Sequence, residues 1–266
     1  MTAPAQGQDY IVGTYNLRYA NDFDSGNSWV NRAPVIESMI RFYDFDILGT
    51  QEGLAGMIDT LSGILPQYQR YGIGRDDGKD AGEHSAIYFK RDRFILLNHG
   101  DFWLSQTPDK PSLGWDATCC NRICSWVYLE DRKTKKNFYV FNCHFDYQKD
   151  LARKESSKLV LEKIKTIAGG HPVLFMGDLN GGRQTPWYQM IARSGVLTDS
   201  YTLAKYPYAG NPSFQDFGKA ISDSEIIDHI FVSHDFTVRR WGILSDTYHG
   251  KYLSDHFPVL TEVVLE

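Results

Sequence analysis

Glu52, Asp178, Asp228, Asp255, His144 and His256 all fall where a short apolar run ends or begins. Phosphate ester hydrolysis requires side chains of these types. A cation must neutralise the phosphoryl oxygens, a base must direct a water for in-line attack, and the leaving oxygen must be protonated or bound to metal. Carboxylates and amide carbonyls are hard oxygen donors, suited to Mg2+ or Mn2+. Glu52 follows an apolar run and Gln51, and reads either as a metal ligand or as a solvated carboxylate. Asp178 and Asn180 flank Leu179. In extended chain they would point the same way, Asp178 to take a proton from water and Asn180 to donate to a phosphate oxygen. The same pattern also makes an Asx turn. Asp255 and His256 could supply a metal ligand and a phosphate-binding cation, or only a turn. Asp228 lies among apolar neighbours, where an unpaired acid is costly. A histidine partner would meet that cost and raise the imidazole pKa. We assign it His256 in preference to a simple Arg or Lys salt bridge. Glu83 and His144 form a second expected acid–imidazole pair.

The elements that must position these groups are short. Tyr10 to Tyr15 reads as a strand ending at Asn16, followed by a polar loop over Asn21 to Ser28. A helix is expected from about Pro34, with Val35, Ile36, Met39, Ile40 and Tyr43 at helical spacing. Strands are expected over Asp46–Thr50, Ser85–Lys90, Ile123–Glu130, Asn137–Cys143, Val173–Met176, Ile226–Ser233 and Pro258–Leu265. A Gly- and Asp-rich turn covers Gly72–Gly82, and a helix over Asp150–Ala168 is closed by Gly169 and Gly170. Asn16, Glu52, His144, Asp178 and His256 therefore share strand ends, where side chains can converge on one rim. The pattern implies an α/β or α+β class with residues 10–266 as a single domain and 1–9 as a disordered or trimmed segment.

Of the 266 residues, 42% are hydrophobic and the formal net charge is −5. That balance argues against broad charge-driven binding to nucleic acid. Four cysteines, Cys119, Cys120, Cys124 and Cys143, lack the spacing of a structural zinc site and read as unremarkable thiols, with a local disulfide as the alternative. No apolar run reaches the length of a membrane span, and a monomer is expected. The start of the chain fits a cytoplasmic protein if it is complete, or an exported one if a signal peptide was trimmed.

Six stretches occur in order over residues 10–265. They are Thr14-Tyr15-Asn16-Leu17-Arg18, Thr50-Gln51-Glu52, Asn142-Cys143-His144-Phe145-Asp146, Gly177-Asp178-Leu179-Asn180, Ile227-Asp228-His229-Ile230-Phe231 and Ser254-Asp255-His256-Phe257-Pro258. With them the sequence resembles the endonuclease/exonuclease/phosphatase superfamily of DNase-I-like fold. Gly74-Arg75-Asp76-Asp77-Gly78, Gly82-Glu83, Gly114-Trp115-Asp116 and Arg122-Ile123-Cys124 look like those of a mostly uncharacterised bacterial branch. The resemblance implies a four-layered α/β sandwich, two packed and mostly antiparallel sheets with helices outside. It also implies that Asn16, Glu52 and Asp255 surround the metal. Asp178 would activate water beside Asn180, and His144 and His256 would contact the phosphate. Asp228 would hold His256, Glu83 would support His144, and Arg122 would be a candidate phosphate contact. Arg18 stands where some nucleases of the family carry a metal-binding acid, and Tyr147 where this branch often has histidine.

The leading expectation is a metal-dependent hydrolase of a small phosphorylated substrate, such as a sugar phosphate, an inositol phosphate or a lipid head group. A nuclease acting on DNA or RNA is the alternative; it would need Arg18, Arg75, Arg122 and Arg183 to cluster. A non-catalytic binding module with the same fold is a third reading. Trp115, and with it Trp29, Trp103 and Trp187, are candidates to stack on a substrate ring, although core packing is the commoner use of tryptophan.

Overall fold

The computed structural model describes residues 9–24, 26–220 and 225–266. Most of the expected N-terminal segment, and Ser25 of the first polar loop, lie outside the described residues. In chain order the elements begin with β1 (Asp9–Asn16), α1 (Trp29–Tyr43), β2 (Ile47–Gly53), α2 (Ala55–Ile64), β3 (Tyr68–Tyr71) and β4 (His84–Lys90). The middle of the chain supplies β5 (Phe94–Trp103), β6 (Ile123–Asp131), β7 (Asn137–His144), α3 (Asp150–Ala168), β8 (Val173–Asp178), α4 (Pro186–Ala192), β9 (Thr198–Asp199) and α5 (Ser200–Leu203). The last part forms β10 (Asp228–Val232), β11 (Phe236–Ile243), a small hairpin of β12 (Thr247–Tyr248) and β13 (Lys251–Tyr252), and β14 (Val259–Leu265).

Two six-stranded sheets form, in the orders β11-β14-β1-β2-β4-β3 and β5-β6-β7-β8-β10-β9. Each has one parallel pair at its centre, β1 with β2 and β7 with β8, and antiparallel pairs outside. Parallel neighbours need a crossover. In the first sheet α1 supplies it, in the second α3. Two βαβ units thus end their strands at one edge of the molecule. The antiparallel strands β10 and β14 start where those parallel strands stop, with Asp228 opposite Asp178 in register.

The layers follow from what each strand buries. Between the sheets pack Val12, Ile47, Phe89, Val127, Phe138, Val140, Leu174, Ile230 and Val259. Alternate residues Phe141, Phe175 and Phe231 face Val160, Ile164 and Trp187 on the outer helices of the second sheet. Tyr15, Leu48 and Tyr88 face Ile36, Ile40, Met57 and Leu61 on α1 and α2 of the first. This is the expected four-layered sandwich, and because the inner strands are buried on both faces they read as continuous apolar runs.

One polar cluster interrupts the inter-sheet core. The Asn142 amide donates to the carbonyls of Thr50 and Ala86, both at 2.9 Å, and accepts from Gln51 Nε2 at 2.7 Å. Gln51 also donates to Thr14 Oγ1 at 3.0 Å. A Cβ at Gly49 would lie 2.6 Å from Met176 Sδ and 2.9 Å from Asn142, so glycine there permits the close approach that this stitching requires. The stitch lies directly beneath the strand ends and fixes one sheet against the other.

Helix α1 begins at Trp29, five residues before the proline expected to open it. Pro34 is accommodated because both it and Val30, whose carbonyl it leaves without a helical donor, lie on the exposed face. The earlier start also places Arg32 in the interior, at 0% exposure. Its guanidinium donates to the carbonyls of Asn27, Leu17, Leu253 and Arg18 at 2.6–2.9 Å. No carboxylate among the described residues pairs with it. It ties the loop after β1 to the segment that leads into Ser254-Asp255-His256.

Cys119 and Cys120 are joined as a disulfide between adjacent residues, which corrects the expectation of unremarkable thiols there. Cys124 and Cys143 are free, buried, and paired in register across β6 and β7. No helix among the described residues is long and apolar enough to cross a membrane.

Arg32→Ala would leave buried carbonyls without donors, and Arg32→Lys cannot span all four. Both are expected to lower unfolding free energy by about 3 kcal/mol or more, read by urea denaturation. A midpoint unchanged in both variants would show that the guanidinium does not hold these loops.

Candidate active site

The strand ends surround a cleft of about 600 Å³ lined by Glu52, His144, Asp178, Asp255, His256 and Arg122 among others. Asn16, at the end of β1, sits at its base. Its Nδ2 donates to Glu52 Oε1 at 2.9 Å and to Asp178 Oδ2 at 3.0 Å, while its Oδ1 accepts from the Arg18 backbone N–H at 3.0 Å. A carboxylate on either side draws the amino end of the amide inward. Asn16 therefore bridges two acids from different sheets, and only the second lone pair of Oδ1 remains for an ion. This places Asn16 beside Glu52, one of the two carboxylates it was expected to join around a metal.

Glu52 lies where the register of β2 against β4 shifts, and its φ is +61°. The bulge turns its carboxylate out of the ladder, and Oε2 accepts from Tyr19 N–H at 3.1 Å. Arg18, Asn180 and Asp216 also line the cleft in left-handed conformations. Such conformations are costly outside glycine and concentrate at functional sites.

Asp255 is 5% exposed. Burial raises its pKa; His256 and Arg18 oppose this and the charge of Glu52 adds to it, leaving it at about 6. Arg18 Nη1 lies 3.7 Å from Asp255 and its Nε 2.8 Å from Asp24. This wall offers only oxygen donors, with too little positive charge to balance them.

On the opposite wall, His256 Nδ1 lies 2.8 Å from Asp228 Oδ2, the expected pairing. His256 Nε2 lies 3.7 Å from Asp178 Oδ2. Burial would lower the His256 pKa, but Asp228's charge and hydrogen bond, with Asp178 and Asp255 behind them, raise it to about 10. The ring stays cationic at neutral pH. Asp178 is raised to about 7 by burial and then by Asp228, against the pull of His256, the Asn180 N–H and Asn16. Asp178, Asp228 and His256 also offer ligand atoms within 4.8 Å of one another, a spacing that could hold a metal.

His144 has the opposite character. Burial, then Arg122, Arg75 and His256, hold it well below the ordinary imidazole pKa, so it is neutral. Its Nε2 lies 3.5 Å from Asp178 and its Nδ1 3.7 Å from Glu83, too far for a hydrogen bond. Glu83 is instead held by Arg75 at 2.5 Å. Glu83 and His144 thus lie side by side, as expected, with the Arg75 guanidinium as the nearer partner of the carboxylate. Arg122 is 5% exposed, and its Nε and Nη1, like His144 Nδ1, have no partner among the described residues. Burial lowers its pKa, and Arg75 beside it lowers it further.

Asn180 does not extend β8 as expected. The strand ends at Asp178, whose Oδ1 accepts from the Asn180 N–H at 2.8 Å. At φ +46°, the Asn180 amide donates to the Phe145 carbonyl at 3.0 Å and still lines the cleft. Trp115 is not among the lining residues; its backbone N–H donates to Gln106 Oε1, and the turn carries it away. Trp103 and Trp187 pack behind the site, donating to the carbonyls of Arg75 at 2.7 Å and Leu179 at 3.0 Å. The aromatic residues at the mouth are Tyr19, Tyr147 and Phe214, which sequence reading had not singled out as cleft residues. Arg183 lies apart, 3.9 Å over the Tyr201 ring, while Arg18 and Arg75 reach the cleft already paired to acids.

The endonuclease/exonuclease/phosphatase family model matches residues 13–256. Among solved structures, an endonuclease/exonuclease/phosphatase family protein from Bacteroides thetaiotaomicron is 44% identical, covering 98% of this chain and 100% of that one, with a TM-score of 0.95. A mannosyl-6-phosphatase from the same organism is 45% identical over 96% of this chain and 99% of that one, with a TM-score of 0.93. An uncharacterised protein of Acanthamoeba polyphaga mimivirus is 27% identical over 91% of this chain and 94% of its own length. On the family match and these near-complete likenesses, the chain belongs to the endonuclease/exonuclease/phosphatase family, as one of its phosphoesterases.

Proposed function

We propose that this phosphoesterase is a divalent-cation-dependent hydrolase whose substrate is the phosphate ester of a small sugar-like molecule. The observation that carries the reading is the set of buried polar nitrogens without partners among the described residues, Arg75 Nε, Arg122 Nε and Nη1 and His144 Nδ1, facing carboxylates across one cleft. Buried donors are costly unless a ligand meets them, and a phosphoryl group supplies the matching acceptors.

Glu52 and Asp255 are the residues that would hold the cation. They fit it as hard oxygen donors whose mutual repulsion a cation relieves, which favours Mg2+ or Mn2+. The alternative grouping of Asp178, Asp228 and His256 fits such a cation less well, since it offers an imidazole nitrogen and an Asp228 carboxylate already bonded to His256 Nδ1. When bound, the cation would neutralise charge on the phosphoryl oxygens. Arg18 occupies the neighbourhood of Asp255 with its own positive charge, which favours a single ion.

The chain's own groups then divide the work. Arg122, His144 and the His256 imidazolium hold the phosphoryl oxygens, with Asp228 fixing the His256 ring. Asp178, raised to about 7, accepts a proton from the attacking water. Asn180, anchored on the Phe145 carbonyl, keeps one amide hydrogen for the phosphate. Among the described residues, Arg122 alone of the cleft arginines is free of a carboxylate, which favours recognition of one phosphate over a polymer backbone. The 45% identical mannosyl-6-phosphatase supports a sugar phosphate over a nucleic acid.

Asp178→Asn is expected to lower kcat by about 10³-fold or more with the thermal midpoint maintained, measured with a turned-over phosphate ester. A kcat within tenfold of wild type removes Asp178 from the proton transfer. A panel of hexose, inositol and glycerol phosphates and oligonucleotides, each with Mg2+, is expected to give turnover of the small esters that added salt barely changes. Preferential cleavage of oligonucleotides, falling steeply with salt, would favour the nuclease instead. Chelation should abolish the activity and Mg2+ restore it; activity surviving EDTA would rule out the cation.

A further inference from the structure

We propose that Asp216 is a specificity-determining residue whose carboxylate accepts hydrogen bonds from hydroxyl groups of the leaving group, so that the preferred substrate is the monophosphate of an uncharged polyol. This rests on the phosphoesterase reading above and extends it from the phosphate to the alcohol.

Asp216 stands at the mouth of the cleft, and its side chain makes no hydrogen bond or ion pair among the described residues. It is also held there against a conformational cost. Asp216 and Phe217 are consecutive non-glycine residues at φ +47° and +50°. The segment keeps this shape because it is anchored on the strand entry that carries the catalytic groups. Gln215 and Asp216 both donate their backbone N–H to the Asp255 carbonyl, at 2.8 and 3.2 Å. The buried Gln215 side chain donates to the Ser254 carbonyl at 2.6 Å and accepts from Gly218 N–H at 2.7 Å. The Phe214 ring packs 5.1 Å from that of His256. The position of Asp216 is therefore fixed relative to the group being cut.

The chemistry at the mouth selects the alcohol. Tyr19, Tyr147 and Phe214 bring aromatic surface to the cleft, against which the apolar C–H groups of a sugar can pack, and Asp216 offers acceptors to its hydroxyls. Of the arginines lining the cleft, Arg122 is the one without a carboxylate partner among the described residues, and it is buried. A second phosphate on the substrate would meet the Asp216 carboxylate, and the Arg18 and Arg75 side chains of the cleft are already paired to acids, so bisphosphates and polynucleotides are disfavoured.

Asp216→Asn and Asp216→Gly separate this role from a structural one, since both residue types tolerate the left-handed backbone. The readout is the KM for a polyol phosphate relative to the inhibition constant of inorganic phosphate, which probes the phosphate subsite alone. Mannose 6-phosphate, glycerol 3-phosphate and inositol 1-phosphate are the polyol probes, with phenyl phosphate for comparison. The expected result is a KM-to-inhibition-constant ratio raised about 10–100-fold, more in the glycine variant, as for loss of a hydrogen bond to a charged group. A ratio that does not change, whether both constants move together or neither moves, overturns the proposal. Wild-type turnover of phenyl phosphate and of no polyol phosphate overturns it too while leaving the phosphoesterase reading intact. Wild-type turnover of no phosphate ester overturns both.

Discussion

The Asn16 amide, shared between Glu52 on one sheet and Asp178 on the other, marks the constraint on which this structure turns. Two βαβ units deliver acids to the same edge, and the sandwich brings those edges together. Burial then places Glu52, Asp178, Asp228 and Asp255 in a small volume. Like charges in low dielectric cannot all remain ionised unless something offsets them. The molecule meets that demand with the NH2 of Asn16, with Arg18 against Asp255, and with His256 against Asp228. The oxygen wall formed by Glu52 and Asp255 is what is left over.

That imbalance separates two otherwise similar histidines. His256 is bonded to Asp228, which holds its pKa up; His144 is lowered by burial, then by Arg122 and Arg75, with no bonded carboxylate to offset them. The same reasoning separates the acids. Asp178 is held near neutrality, where it can exchange a proton, and Asp255 somewhat lower. Environments that push like groups apart in this way are a mark of acid–base sites. Arg32 and the Asn142–Gln51 stitch contribute by rigidity: one secures the loops that bear the oxygen wall, the other the two sheets beneath it.

Much of this was legible in the sequence, along a physical boundary. The eight inner strands of the two large sheets are the ones that apolar runs identified; the four edge strands β3, β5, β9 and β11, and the short β12–β13 hairpin, are the ones they missed. Edges carry charge and irregularity: β11 contains Arg239 and Arg240 at a bulge, and β5 breaks register between Leu96 and Asn98. The pairing of Asp228 with His256 followed from the cost of an acid among apolar residues. Arg32 gave no such signal, since an arginine on an amphipathic helix ordinarily faces water. Its role depends on carbonyls from three separated segments, which only the fold assembles. The Arg75–Glu83 bond gave no signal, because both lie in one turn and no rule of spacing ranks a guanidinium against a distant imidazole. The place of Asp216 at the cleft was not legible, because it comes from a left-handed turn that no motif announces.

The most direct test is a titration of Mn2+ into the purified protein, followed by electron paramagnetic resonance of the free ion. An ion gripped by the oxygen wall gives one tight site, weakened at least tenfold in Glu52→Gln and in Asp255→Asn but much less in Asp228→Asn. Binding unaffected by Glu52→Gln and Asp255→Asn, or abolished by Asp228→Asn instead, would contradict it and place the metal on the histidine side of the cleft.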